Sequence, residues 1–387
     1  MRQRSFLVAL LLSTAAAPVC AQSLFNSAGM GLPLEALDGR ARALGSLGIG
    51  LRGASLMPTD PAAVARFQIS TGVMAGQPSW VQYAQDGGVT GSFQGNRFPL
   101  MGIAYPVFSG MMSIQIGSFL DQHFTTEVIG SIDLRGSPIE TMDVFEQDGA
   151  VSKLNFGYAK MLGERTSVGA TLGRYAGSVV RTLTRTYGVG AVGVEDYVQS
   201  GKWSYTGHSL TAGVASDVSD LIRVAASIQI PTTLHADASE GTSGSDASFD
   251  LPVQYRLGAS MQLAPGLVVS TSVAMADWSP IADDLLESST AGAANGFGVG
   301  VELSRARILG KQAPLRFGFR RIGLPFSFDG ASASERIFSA GFGLVLAEAA
   351  GLTLAGADFA IERGRRSGGG VTENFWRLTA SLVVSGN

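Results

Sequence analysis

Cysteine is nearly missing from this chain: the one present, Cys20, falls within an N-terminal leader. Without it the mature protein has neither a disulfide nor thiol chemistry to offer. Histidine is also scarce. His123, His208 and His235 lie far apart on separate strand-like segments, with no ligand partner at metal spacing, so no metal site and no cofactor is expected. Charged residues make up only 15 % of the chain, and acidic ones outnumber basic ones, which argues against a nucleic-acid partner. After the leader there is no run of about 20 apolar residues, so no membrane helix is expected. No nucleophile stands with a base at a recognisable spacing. The Gly-rich stretch Gly296–Gly300 alternates with apolar residues on a strand, where a phosphate loop would need a following helix. No catalytic residue is nominated, and the reading is of a non-enzyme.

What is present is an export signal. Arg2 and Arg4 form its charged start, Phe6–Leu12 its apolar core, and Val19-Cys20-Ala21 a small-residue cleavage site. Cleavage after Ala21 leaves a mature chain rich in apolar residues and in glycine, 51 of the full 387 against a usual share of about 7 %. Such a chain needs another way to present apolar surface, and two-residue periodicity supplies it. In Asn374–Val384, Trp376, Leu378, Ala380, Leu382 and Val384 share one face, while Arg377, Thr379 and Ser381 share the other. The same alternation runs through Leu221–Ile230, Phe249–Leu263, Ala293–Ser304 and Arg336–Leu346. These segments approach the about 9–11 residues of a tilted membrane-spanning strand, and their polar faces carry mid-strand charges that a sandwich core would exclude.

Fourteen such segments begin near residues 67, 97, 111, 150, 166, 203, 221, 249, 266, 294, 314, 335, 351 and 373. Short turns alternate with long loops, the long ones near 80–96, 129–149, 187–202, 237–248, 279–293, 327–334 and 363–372. The fold class predicted is therefore all-β: a transmembrane antiparallel barrel of about 14 strands over 67–387, with both termini periplasmic. Ahead of it, 22–66 does not read as strand. Glycines 39, 45, 48, 50 and 53 break it up, and Asp60-Pro61-Ala62 reads as an N-cap followed by one or two helical turns. A fourteen-stranded interior is too wide for side chains alone to fill, so 22–66 is expected inside as a plug.

The stretch ARALGSLGIGLRGASLMPTDPAAVARF, Ala41–Phe67, resembles the N-terminal hatch motif of FadL-type outer-membrane transporters, usually A-R-A-x-G-x-G followed by N-P-A. Asp60 stands where the asparagine is usual. LPFSFDGASASERIFSAGFGLVL and ENFWRLTASL resemble the wider superfamily, which includes PorV/PorQ-type proteins of type IX secretion. The resemblance implies uptake of fatty acids or hydrocarbons through capture in an apolar pocket, with release sideways beside a distorted strand. The alternative it implies is a secretion component that binds secreted protein cargo. Implied partners are a hydrophobic small molecule or lipid, outer-membrane lipid and the barrel-assembly machinery. The chain ends Val384-Ser385-Gly386-Asn387 rather than on an aromatic residue, so any assembly signal is slightly internal. In Phe93–Ile103, Gly95, Pro99 and Gly102 weaken strand pairing; the segment is either such a distortion or an ordinary loop-to-strand junction.

The polar faces of the last five strands carry Glu302, Arg316, Arg320, Glu335, Asp358, Glu362 and Arg377. Two roles are open. The arginines Arg316, Arg320 and Arg377 could take a ligand carboxylate. Alternatively the charges pair across the wall, and the acids Glu302, Glu335, Asp358 and Glu362 anchor plug arginines such as Arg40 and Arg42. Gly45, Gly48, Asp60, Pro61 and Ala62 are the plug positions expected to pack closely against the wall.

Overall fold

The computed structural model describes residues 23–386 apart from 135, 189–192, 286–289, 309–310 and 350–351, so the predicted signal peptide lies outside the described residues. Fourteen antiparallel strands form a closed barrel: β1 (Ser70–Gln85), β2 (Thr90–Val107), β3 (Gly110–Asp121), β4 (Ser137–Leu162), β5 (Thr166–Tyr187), β6 (Tyr197–Asp217), β7 (Ile222–Pro231), β8 (Gln254–Ala264), β9 (Leu267–Asp277), β10 (Ala293–Leu303), β11 (Leu315–Gly323), β12 (Ser334–Ala349), β13 (Leu352–Gly368) and β14 (Val371–Gly386). Each pairs with its sequence neighbours, and β14 returns to β1 from Val371↔Gln85 to Gly386↔Ser70, which closes the sheet. Both ends of the barrel sequence thus lie at the end with short turns.

The alternation read from the sequence sets the two faces. Trp376, Leu378, Leu382 and Val384 point outward and are exposed, while Phe375, Arg377, Thr379 and Ser381 between them are buried. A closed sheet leaves no backbone edge facing lipid, which is why an apolar outer face can surround a polar inner one.

Three of the expected long loops are instead mostly strand. β13 and β14 meet in a two-residue turn, Gly369-Gly370, with φ of +53° and +71°, the backbone a tight hairpin turn requires. The 80–96 loop is likewise mostly the paired ends of β1 and β2, joined by residues 86–89. Much of the 129–149 loop is a hairpin, Phe124–Leu134 against Ser137–Gln147, that prolongs β4. Toward these strand ends polar residues enter both faces, as in Glu362–Ser367, so the alternation weakens while the hydrogen-bond ladder continues.

Residues 23–66 run along the inner wall. Helix α1 (Gly39–Ala43) is capped by the Asp38 side chain, which accepts from Ala41 N, and was not foreseen. The turn predicted at Asp60 is present as a 3₁₀ helix, Pro61–Arg66, with Asp60 Oδ1 accepting from Ala63 N at 3.2 Å. Its Oδ2 accepts from Gly50 N, also at 3.2 Å. Burial raises the pKa of Asp60 against those two N–H bonds.

Wall glycines admit this backbone. A Cβ at Gly258 would lie 2.5 Å from the Ile49 carbonyl oxygen, and one at Gly169 would lie 2.6 Å from the Pro61 carbonyl carbon. Gly298 and Gly300 leave room for the Gly45 and Leu44 carbonyls, and Gly45 in turn lies against the Phe319 backbone. Replacing Gly298 with leucine should therefore displace the segment while the wall strands still pair. We expect Gly298→Leu to retain heat-modifiable gel mobility and to be cleaved by protease within 23–66, where the parent resists. Equal resistance would show that the close approach is not required.

Candidate binding site and a lapse in the wall

The charges of the last five strands meet at matched depths. Glu302 lies directly opposite Arg316, and their side chains pair at 2.8 Å. Arg316 also reaches Asp358 at 2.5 Å, and Arg320 reaches Glu362 at 2.5 Å. Arg377 pairs with Glu335 at 3.1 Å. Two members were not anticipated: Arg366 lies opposite both Glu335 and Glu373 and binds both carboxylates. Their signal was present, because each shares inward parity with Glu362 or Arg377.

The N-terminal segment joins the ladder at three points. Arg40 Nε donates to Glu302 at 3.1 Å, and Arg42 lies 3.7 Å from Glu362. Glu373 accepts from Ser23 Oγ and from Leu24 N, at 2.8 and 2.6 Å. Glu335 and Asp358 bind wall arginines and make no ion pair with a segment arginine among the described residues. The guanidinium groups of Arg316, Arg320 and Arg377 thus face carboxylates, and none of the three lines the cavity found inside the barrel beside the N-terminal segment.

That cavity, about 140 Å³, lies elsewhere. Leu34, Ala36, Leu47, Phe119, Trp278 and Ile322 form much of its apolar lining, and Lys153, Asn155, Gln229 and Arg256 its polar side. Its volume approaches the roughly 150 Å³ of an engineered apolar cavity that admits benzene. Lys153 Nζ donates to Gln229 Oε1 at 2.7 Å and lies 5.6 Å from the centre of the Tyr175 ring. No carboxylate lies within ion-pair distance of it among the described residues, and the Arg256 guanidinium is 4.0 Å from Glu35. These residues were missed because β4, β7 and β8 each contribute one or two, with nothing local to group them.

The cavity reaches the wall at Gly117, Ser118 and Phe119. There the β2–β3 ladder has lapsed: it runs from Val107↔Gly110 to Leu100↔Gly117 and stops. Pro99 lies inside β2 rather than at a loop junction, and Phe98-Pro99 form a bulge opposite Gly76 in the β1 pairing. Beyond the lapse, β2 pairs only with β1. The freed edge of β3 is taken by the N-terminal segment instead, with Leu32↔Asp121, Pro33↔Leu120 and Leu34 N donating to Phe119 O at 2.8 Å.

Polar groups surround this point. Arg97 lies 3.9 Å from Asp121 across the lapse, and His123 bridges Asp121 at 2.6 Å and Asp148 at 3.1 Å. Partial burial works against a charge on His123, but the Asp121 hydrogen bond and carboxylate charge, with Asp148 behind them, raise its pKa.

No protein-family model matches the chain, and no curated protein matches it by sequence. Solved structures do match. A Pseudomonas aeruginosa FadL homologue superposes with a TM-score of 0.65 at 12 % identity, over 92 % of this chain and 99 % of that one. The Ralstonia pickettii toluene transporter TbuX gives 0.57 at 14 % identity, with 92 % and 99 % covered. The Pseudomonas putida toluene transporter TodX gives 0.57 at 12 % identity over the same shares. The chain has the FadL-type barrel fold. At these identities the likeness is one of fold, and the residues of the site have to be judged on their own geometry.

The FadL-like wall depends on its buried charges. Glu362 serves Arg320 and Arg42 together, so Glu362→Gln leaves two buried guanidiniums without their shared carboxylate. A loss of about 3–5 kcal/mol in folding stability is expected, the usual cost of breaking a buried pair from one side. Urea unfolding in detergent measures it. A change below about 1 kcal/mol would mean that the pair is solvated.

Proposed function

We propose that this protein takes up hydrophobic small molecules across the outer membrane, with the turn-bearing end and both termini periplasmic. A solute is captured in the Lys153–Trp278 cavity and released sideways through the lapse between β2 and β3, with residues 22–66 as the hatch. The observation that carries this reading is that the cavity meets the wall where the ladder has stopped, at Gly117–Phe119. A water-filled channel gives an apolar solute no favourable path through the polar surface layer. A partly apolar cavity opening beside the bilayer core gives it one. The likeness to barrels described as a toluene transporter and a monoaromatic hydrocarbon channel supports the same class of solute.

Leu32–Leu34 would gate the route, because these residues occupy the edge of β3 that β2 has vacated. The candidate ligand contacts are Lys153 and Arg256 rather than Arg316, Arg320 and Arg377, whose guanidiniums are engaged by carboxylates. Among the described residues, no feature of the loops favours the alternative of protein cargo over a small solute.

Locking the lapse tests the route. Ser118 Oγ lies 3.4 Å from the Phe98 carbonyl oxygen, and Cys20 is the chain's only native cysteine. Phe98→Cys with Ser118→Cys should form a disulfide that stops uptake of a labelled hydrocarbon or fatty acid in cells, with recovery on reduction. Undiminished uptake by the oxidised double variant would rule out exit at this point.

The cavity's unpaired cation predicts a preference. Lys153→Met should weaken binding of an apolar carboxylic acid by roughly tenfold or more, while leaving a neutral hydrocarbon of the same size nearly unaffected. Tryptophan fluorescence of Trp278 provides the titration signal. Equal losses for the two ligands would mean that Lys153 only supports the cavity wall.

A further inference from the structure

Apart from Glu348 near the turn-bearing end, the carboxylates of the last four strands point inward, and the loop-side half of their outward faces is left with arginine. On β11–β13, Arg321 lies directly opposite Arg336, and Arg336 directly opposite Arg365. All three are exposed and share outward parity with Phe319, Phe338 and Ile361. A fourth, Arg363, is one ladder step nearer mid-barrel, opposite Phe338 and Trp376, with its guanidinium 5.1 Å from the centre of the Trp376 ring.

Like charges directly opposite on neighbouring strands repel, and nothing on this face offsets them. Among the described residues, none of the four lies within ion-pair distance of a carboxylate. The only acid sharing the outward faces of β11–β14 is Glu348, at the opposite, turn-bearing end. The acidic partners such a row would ordinarily have, Glu335, Glu362 and Glu373, are buried inside and occupied by Arg320, Arg366 and Arg377. Asp86, on a hairpin tip, lies four residues beyond Gln82, where the row continues across Asn374. That is about 13 Å along the strand, beyond the screening length at physiological salt.

Position gives the row its meaning. On the mid-barrel side stands an aromatic row, in which the Phe319 and Phe338 ring centres are 5.0 Å apart and Trp80 lies opposite Trp376. On the loop side the next outward residues are Ser334, Ser367 and Thr372. Aromatic, then cationic, then hydroxyl is the order across a membrane interface, where aromatic rings sit at headgroup level. Neighbouring strands lie about 4.8 Å apart, so the backbone positions of the three arginines span about 10 Å, close enough for their side chains to converge on clustered phosphate oxygens.

We propose that this face binds the phosphorylated headgroup of an outer-leaflet glycolipid. The assignment rests on the outer-membrane location proposed above, with the loop-bearing end outside. It fixes one lipid site on the barrel perimeter, on β11–β13 and away from the lapse between β2 and β3.

The test uses full-length protein in zwitterionic detergent, titrated with purified lipopolysaccharide and followed by native mass spectrometry. The comparison is with R321Q/R336Q/R365Q. The parent should retain bound glycolipid and the triple variant bind it roughly a hundredfold more weakly, as expected for loss of three interfacial charges. Dephosphorylated glycolipid should bind the parent no better than it binds the variant. Gel mobility before and after heating confirms that the variant is folded; if it is not, single Arg336→Gln and Arg336→Lys substitutions replace it, with the lysine form closer to the parent. Equal retention by folded parent and variant, or no retention by the parent, overturns the site. A parallel titration with the hydrophobic solute reads the lumen separately, so a failed uptake reading and a failed lipid site give different results.

Discussion

Backbone hydrogen bonding in a lipid surround is the constraint from which the rest of this structure follows. Every peptide group facing the hydrocarbon must find a partner within the protein, and a sheet achieves this only by closing. Fourteen strands close here, and closure creates an interior wider than wall side chains can fill. Leu37, Ala41, Leu47 and Met57 of the N-terminal segment are fully buried. Wall positions such as Gly258, Gly298 and Gly300 carry no side chain because backbone occupies that space.

Charge is sorted by the same closure. Carboxylates on the last four strands turn inward, where arginines from wall and segment neutralise them. Burying so many ions is costly unless each is paired, and the cross-strand register does much of the pairing by placing opposite charges at equal depth. The outward arginines of β11–β13 have no such compensation among the described residues.

One place breaks the rule of complete pairing. Where β2 leaves β3, the vacated edge is satisfied by Leu32–Leu34, so the backbone stays bonded although the wall itself is discontinuous. The interior segment and the irregularity are therefore one feature, and a movement of the segment would expose the edge. The cavity reaches that junction, and its far side is lined by Gly296 and Ile322 on the strands that carry Glu302 and Arg320.

Period-two alternation is a local property, so the sequence alone determined the strand number, the apolar outer face and the inward direction of Glu302, Arg316 and Glu362. A proline after aspartate likewise announced the turn at Asp60–Arg66. Pairing depth is not local. It depends on where each hairpin turns, and that decided which carboxylate each arginine meets, as in the ion pairs of Arg316, Arg320 and Arg377. Strand ends beyond the apolar belt lose their periodicity and read as loops, although Gly369-Gly370 closes a tight hairpin. The cavity was illegible for the strongest reason: Lys153, Gln229 and Arg256 come from three strands and line one cavity only because the sheet closes around a segment that precedes them all.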